Sequence, residues 1–370
     1  MSNPKKHHYI PKSYLRNFSE RRNDVDWVDT LLNRQGGEIK QLSTTNLCHQ
    51  KNLYTFPPGK VNDPYALEKY YSEHVDGIYP HVYSMLINPD MSSFSREEKR
   101  KILYTILSLY FRTPGFLNRN TRVIDEAFDA IGRSTSNSQE MISVDWGNGP
   151  VRFKLENLEL VREEQKLILK ELFLVGHLED LQRFVDHKMA CGIAIITVPN
   201  EVPLITCDNP VCIINPQGEH NPENIFDMEN IIELAIDPRT YVVIMPNTIS
   251  DGSKDYLQRT KRDKYFAAGT NRTTENARQQ YMIAYPGDLQ KHLNSQTSYN
   301  ADTPENWRQV NNTRKMATDS LELLTLIERI GTIYHKKVAD KVKEIQALGL
   351  VNDDPTMKAL IESLKEKGLL

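Results

Sequence analysis

The run His7-His8-Tyr9-Ile10-Pro11-Lys12-Ser13-Tyr14-Leu15-Arg16-Asn17-Phe18 packs two imidazoles, two phenols, a guanidinium and an amide into twelve residues. Chain ends are ordinarily frayed and bland, so this density marks a candidate site. A histidine here could act as general base or metal ligand, and Arg16 could hold a phosphate or carboxylate. Pro11 suits the first turn of a helix, which puts Tyr14 and Phe18 on one face while Arg16 and Asn17 point elsewhere. His7 and His8 lie just ahead in extended chain and face opposite sides. The competing reading is structural: a chain end tied into the core by aromatic packing and an Arg–carboxylate pair.

Candidate partners for this run come from three other places. Asp208-Asn209-Pro210 sits between two predicted strands. It makes a tight turn, and its carboxylate could also ligate a metal or orient His8. Arg112 closes an otherwise apolar helix, where a cation is favourable by itself and could also bind an anionic substrate. Glu68 and Glu73 are five residues apart on a predicted helix and do not share a face, so they read as solvated or ion-paired surface.

The opening residues resemble a bacterial family catalogued as domain of unknown function 4238. Its members open with H-H-Y-[IV]-P-x-x-Y-L-[RK]-x-F, and His7, His8, Tyr9, Ile10, Pro11, Tyr14, Leu15, Arg16 and Phe18 match position by position. Lys51-Asn52-Leu53-Tyr54, Phe111-Arg112-Thr113-Pro114 and Ile205-Thr206-Cys207-Asp208-Asn209-Pro210-Val211 are similar too. The resemblance implies a bacterial or phage source and a unit of about this size. It implies no settled activity.

A second resemblance bears on chemistry. His7-His8-x-x-Pro11 followed by Asn46-Leu47-Cys48-His49-x-Lys51 is similar to the H-N-H nuclease signature. That likeness implies His8 as the base that activates water, Asn46 as a brace, and His49 with His7 as ligands of one divalent metal. The segment after Pro11 departs from it, since it looks helical, and the gap from His8 to Asn46 is long. Arg329-x5-His335 has the spacing found in a class of helical ribonucleases, a spacing that charge-rich helices also produce by chance.

Composition sets the frame. The chain has 370 residues, 39% apolar and 26% charged, which is globular and not disordered. Net charge is −3, so no overall basic field holds nucleic acid and any such binding needs a local patch. Cys48, Cys191, Cys207 and Cys212 form no C-x-x-C pair and read as small buried hydrophobes. No signal peptide and no apolar run of about 20 residues is visible, which points to the cytoplasm and away from membranes. No P-loop, dinucleotide fingerprint, H-E-x-x-H or G-x-S-x-G occurs.

These residues must be positioned by the elements around them. Strands are expected at 26–31, 38–42 and 51–56, with a turn at Arg34-Gln35-Gly36-Gly37. Apolar residues at three- and four-residue spacing predict a helix from Tyr65 to Leu86, split near Pro80. Ser95-Arg96-Glu97-Glu98 is a capping box opening a helix that stops before Pro114. Further helices are expected over 123–131, stopped by Gly132, and over 155–187. Short β-branched runs at 193–198, 204–206, 211–214, 231–236 and 241–245 predict a largely antiparallel sheet. Helix signals resume at 273–281 and dominate from Thr318 to Leu370. The class is α+β: a small β element, a helical layer on a largely antiparallel sheet, and a helical end. Residues 1–300 read as one composite domain (1–60, 61–190 and 191–300 as its parts), with 301–370 as an extension.

The sequence thus suggests a cytoplasmic protein acting on nucleic acid or a nucleotide, as a metal-dependent nuclease or phosphodiesterase in phage defence. His8, Arg16 and Asp208 would be catalytic, and His7, Tyr14, Asn17, Arg112 and Asn209 binding. His7 and Asp208 would hold Mg or Mn. The alternative is a non-catalytic binding or regulatory module with an Arg/His/aromatic pocket.

Overall fold

A computed structural model describes residues 6–299 except 33–36, 57–61, 135–140, 146–149, 223 and 247–254, together with 361, 362 and 365. The expected turn at 34–37 falls almost wholly outside the described residues. So do Arg329, His335 and nearly all of the extension over 301–370.

Along the chain run β1 (Lys6–His8), α1 (Lys12–Leu15), β2 (Glu20–Arg22), β3 (Val25–Leu32), β4 (Lys40–Ser43) and β5 (His49–Lys51). Then follow α2 (Ala66–Tyr71), α3 (Tyr79–Ile87), β6 (Ser93–Phe94), α4 (Arg96–Phe111) and α5 (Pro114–Ser134). The hairpin β7 (Met141–Asp145) and β8 (Pro150–Lys154) precedes the long α6 (Leu158–Lys188). The second half holds β9 (Gly192–Thr197), β10 (Thr206–Cys207), β11 (Cys212–Ile214), β12 (Ile231–Ala235), β13 (Thr240–Met245) and β14 (Asp255–Lys261). It closes with α7 (Lys264–Ala277), β15 (Tyr281–Ala284) and α8 (Asp288–Tyr299). The fold is α+β.

Two sheets carry the frame. One has the order β11-β12-β13-β9-β14-β6, all antiparallel except β14 beside β9. The other has the order β10-β15-β3-β2, with β4 also on β3. Burial on every residue of β13 and on all but Thr197 of β9 explains their unbroken apolar runs. One large core joins the opening motif, the helices α2 to α4, part of α6 and the six-stranded sheet. A smaller core of Ile124, Phe128, Phe153 and Val161 holds α5, α6 and the β7–β8 hairpin together.

Local chemistry accounts for the helix boundaries. Ser95 and Glu98 form the expected capping box, each side chain bonded to the other's backbone amide. Pro80 starts α3, and a π-helical turn, Ser72–Asp76, lies between α2 and α3. Pro114, expected only as a stop, also opens α5, which continues through Gly132 to Ser134. The extended piece expected over 51–56 is cut short: β5 ends at Lys51, and Asn52 turns the chain with φ +53°. All four cysteines are free and buried.

Candidate functional site

The opening motif works first as a pin. β1 pairs antiparallel with β5, placing His7 opposite Gln50 and His8 opposite His49. The alternation of the strand buries His7 completely and leaves His8 partly exposed. Pro11 then starts α1, which buries Tyr14, Leu15 and, one turn on, Phe18. The Tyr14 hydroxyl meets Thr206 Oγ1 at 2.6 Å and donates to the Ala235 carbonyl at 2.8 Å. Thr206 belongs to one sheet and Ala235 to the other, so one phenol ties the two together. Asn17 adds a bond from Nδ2 to the Ile236 carbonyl at 3.1 Å. Arg16 turns outward and pairs with Asp26 at 2.9 Å.

His8 bonds through Nε2 to the Thr45 carbonyl at 3.2 Å. Burial, opposed in part by that bond, lowers its pKa to about 4, so the ring is neutral at pH 7. Asp208 lies at the turn after β10, and its two carboxylate oxygens accept the Gln279 and Gln280 amides, each at 2.8 Å. Burial raises its pKa, and those amide bonds hold it down. Asn209 donates to the Ala277 carbonyl at 3.1 Å. Among the described residues, no hydrogen bond or ion pair joins His8 to Asp208. Nor do three His, Cys, Asp or Glu side chains among them converge to hold a metal ion.

What the structure does bring together is a buried cluster around His7 and Arg112. It draws on six places in the chain. β1 gives His7 and the His8 carbonyl, the turn after β5 gives Tyr54, and α2 gives Glu68 and Tyr71. The π turn gives Asp76, the end of α4 gives Arg112, and α6 gives His177. Arg112 is 1% exposed. Its Nη1 pairs with Asp76, its Nη2 donates to the His8 carbonyl at 2.6 Å, and its guanidinium lies 4.3 Å from the centre of the Tyr71 ring. Burial works against its charge, but Asp76 and Tyr54 outweigh that, and the guanidinium stays protonated. The Tyr54 hydroxyl donates to the Arg112 carbonyl. Tyr71 bonds His177 Nε2, and burial drives the His177 pKa down to about 3.

Glu68 completes the cluster. Its Oε2 lies 3.9 Å from His7 Nδ1, but this is no ion pair. That nitrogen already accepts the Tyr54 amide at 3.0 Å, so His7 is the neutral tautomer with its proton on Nε2. Burial pushes Glu68 up to about 7, Arg112 pulls it down and Asp76 pushes it up again. Among the described residues, Glu68 Oε2, Arg112 Nε and His177 Nδ1 are all buried with no hydrogen-bond partner. Three such atoms in one cluster are unusual, because buried polar groups are ordinarily satisfied. Perturbed carboxyls of this kind concentrate at functional sites.

The five-residue spacing from Glu73 predicts Glu68 on the surface, yet its side chain is only 15% exposed. It stands three residues before Tyr71 and seven before Val75, both fully buried, so the helical period already placed it on the inner face. Of the expected site residues, His7 and Arg112 meet in the cluster, joined by the backbone of His8. Asp208 and Asn209 brace β10 against the segment between α7 and β15, Tyr14 sits in the core, and Asn17 borders an open cleft. No described helix is long and apolar enough to cross a membrane.

Comparison with known proteins is consistent with the opening motif. No curated protein and no solved structure matches the chain. Residues 6–313 match the family described as "Protein of unknown function (DUF4238)", a span that includes every residue of the cluster, and the chain belongs to that family.

Proposed function

We propose that this protein is an acid–base enzyme in which Glu68, flanked by His7 and Arg112, moves a proton. One observation carries the reading: a buried carboxyl oxygen with no hydrogen-bond partner among the described residues, on a group pushed up to about 7. Such a carboxyl gives or takes a proton near neutral pH, which an ordinary surface glutamate does not. The Arg112–Asp76 pair is already charge-balanced, so ionising Glu68 leaves the cluster with one net negative charge. A divalent cation or a hydrogen bond donated by a substrate hydroxyl favours the ionised carboxylate, whereas a phosphodiester anion favours the protonated acid.

For the substrate we carry forward the class the opening motif suggests, a phosphodiester of a nucleic acid or nucleotide. Mg or Mn as the divalent metal and cytoplasmic phage defence as the setting come with it. The test is cleavage of plasmid DNA, RNA and bis(4-nitrophenyl) phosphate by the full chain, with and without Mg or Mn. Glu68→Gln and His8→Ala variants are run in parallel. The expected result is cleavage lost in Glu68→Gln, with its melting temperature at or above that of the parent, and retained in folded His8→Ala. Cleavage that survives Glu68→Gln but fails in folded His8→Ala returns the base to His8.

A second reading has its own observation. The open cleft beside Asn17 fits the binding-module alternative, and a parent protein that cleaves none of these substrates would favour it.

A further inference from the structure

A cleft of about 610 Å³ opens where the two larger sheets meet. Its walls come from places far apart in sequence. Asn17 and Ser19 follow α1, Tyr83 and Ile87 belong to α3, and Asp237 to Thr240 form the β12–β13 turn. Tyr285, Asp288 and Lys291 lie after β15 and on α8. The volume falls in the range of small-molecule sites, about 300–1,000 Å³. No residue of the Glu68 cluster lines it.

The polar groups of this cleft divide unevenly between engaged acceptors and spare donors. Asp237 Oδ1 accepts the amides of Arg239 at 2.6 Å and Thr240 at 2.8 Å, and its Oδ2 accepts the Tyr83 hydroxyl at 2.9 Å. That carboxylate is saturated by the turn it caps. Asp288 pairs with Lys291 at 2.6 Å. The cations keep donors in reserve. Arg239 gives Nη1 to the Pro199 carbonyl at 2.6 Å and retains Nε and Nη2, with no acidic side chain paired to it among the described residues. The Lys291 side chain is 60% exposed, with N–H groups to spare beyond the one given to Asp288. Tyr285 is 37% exposed, and its hydroxyl has no partner among the described residues.

Unpaired guanidinium donors, an accessible ammonium and a bare phenol ring together define one kind of ligand. We propose that this cleft binds a small anion carried on a planar ring, with Arg239 and Lys291 holding the carboxylate or phosphate and Tyr285 stacking on the ring. Arginine suits planar, two-point recognition of either anion, and the shared chemistry leaves the source to experiment.

The test is calorimetric titration of the full chain with phenyl phosphate, benzoate and inorganic phosphate. Arg239→Gln, Lys291→Gln and Tyr285→Leu are measured beside the parent, and melting curves confirm folding. We expect saturable binding of one or both ring-bearing anions, stronger than that of inorganic phosphate. Arg239→Gln and Tyr285→Leu should each weaken it about tenfold, and Lys291→Gln less. Preference for phenyl phosphate names phosphate as the anion, and preference for benzoate names carboxylate. If Arg239→Gln does not fold, Tyr285→Leu and Lys291→Gln still decide. No saturable binding of any probe at millimolar concentration overturns the proposal, as does affinity unchanged in every folded variant.

Discussion

Glu68 Oε2 lies 3.9 Å from His7 Nδ1, yet no proton can bridge them while Tyr54 donates its amide to that nitrogen. The ionisation of Glu68 is therefore set by burial, by Arg112 and by Asp76, and not by a histidine partner. A carboxyl in this position resembles a tuned acid more than a member of a structural ion pair.

The first prediction concerns pH and stability. Glu68 sits near 7 in the folded chain and near 4.5 when unfolded. Between those values the folded state holds the extra proton, so this group's contribution is complete below about 4.5 and is lost as pH rises through about 7. Glu68→Gln cannot ionise. Its stability advantage over the parent should grow from pH 4.5 to pH 8 by roughly 2–3 kcal/mol. Urea unfolding of both proteins at several pH values measures the gap. Parallel curves would show that Glu68 does not titrate in this range.

Arg112 gives the second. Its two Nη groups hold Asp76 and the His8 carbonyl, and its carbonyl receives Tyr54. Arg112→Met leaves a carboxylate and a carbonyl without donors and should cost roughly 3–5 kcal/mol. Arg112→Lys should recover only part of this, because a single ammonium cannot reproduce the planar fork over Tyr71. Chemical denaturation ranks the three proteins. A lysine variant as stable as the parent would mean that charge alone matters here.

Much of this architecture is legible in the sequence, and the exceptions have physical causes. The runs at 193–198 and 241–245 are apolar throughout because both faces of their strands are buried. The Ser95 box and Pro80 act locally, so their effects are visible without tertiary context. β14 carries no strand signal because its residues, Asp255 to Lys261, are mostly polar, and its parallel pairing with β9 holds it in place. The helix start at Pro11 predicts Tyr14 and Phe18 on one face, and their rings lie 5.6 Å apart in the core. That the Tyr14 hydroxyl bridges Thr206 and Ala235 depends on partners 192 and 221 residues away, which no local pattern encodes.

Acid sensitivity is the third. His8 and His177 are neutral in the fold, with pKa values of about 4 and about 3, while unfolded imidazoles protonate near 6.5. The unfolded chain therefore takes up protons first, and both groups lose stability for the fold as pH falls below 6.5. Glu68 acts in the opposite sense over part of the same window. His177→Gln keeps a hydrogen-bonding group for Tyr71 and does not titrate, so its acid limb should be shallower than the parent's. Circular dichroism from pH 7 to pH 3 reads the two limbs, and coincident limbs would remove His177 as a source of acid sensitivity.

Asp208 separates structure from chemistry most directly. Its oxygens hold the amides of Gln279 and Gln280, which lie between α7 and β15, and its own amide donates to the Tyr281 carbonyl at 3.2 Å. As a clamp, Asp208→Ala strands two buried donors and should cost roughly 2–4 kcal/mol. Asp208→Asn keeps one side-chain acceptor and should cost about 1–2 kcal/mol. As a metal ligand or histidine orienter, the same asparagine variant would instead melt near the parent temperature while losing activity or Mn affinity. Melting curves and Mn titration on the parent, Asp208→Asn and Asp208→Ala give opposite patterns for the two roles. Graded destabilisation with Mn affinity unchanged would assign Asp208 to the frame, and chemistry would then have to be sought at Glu68.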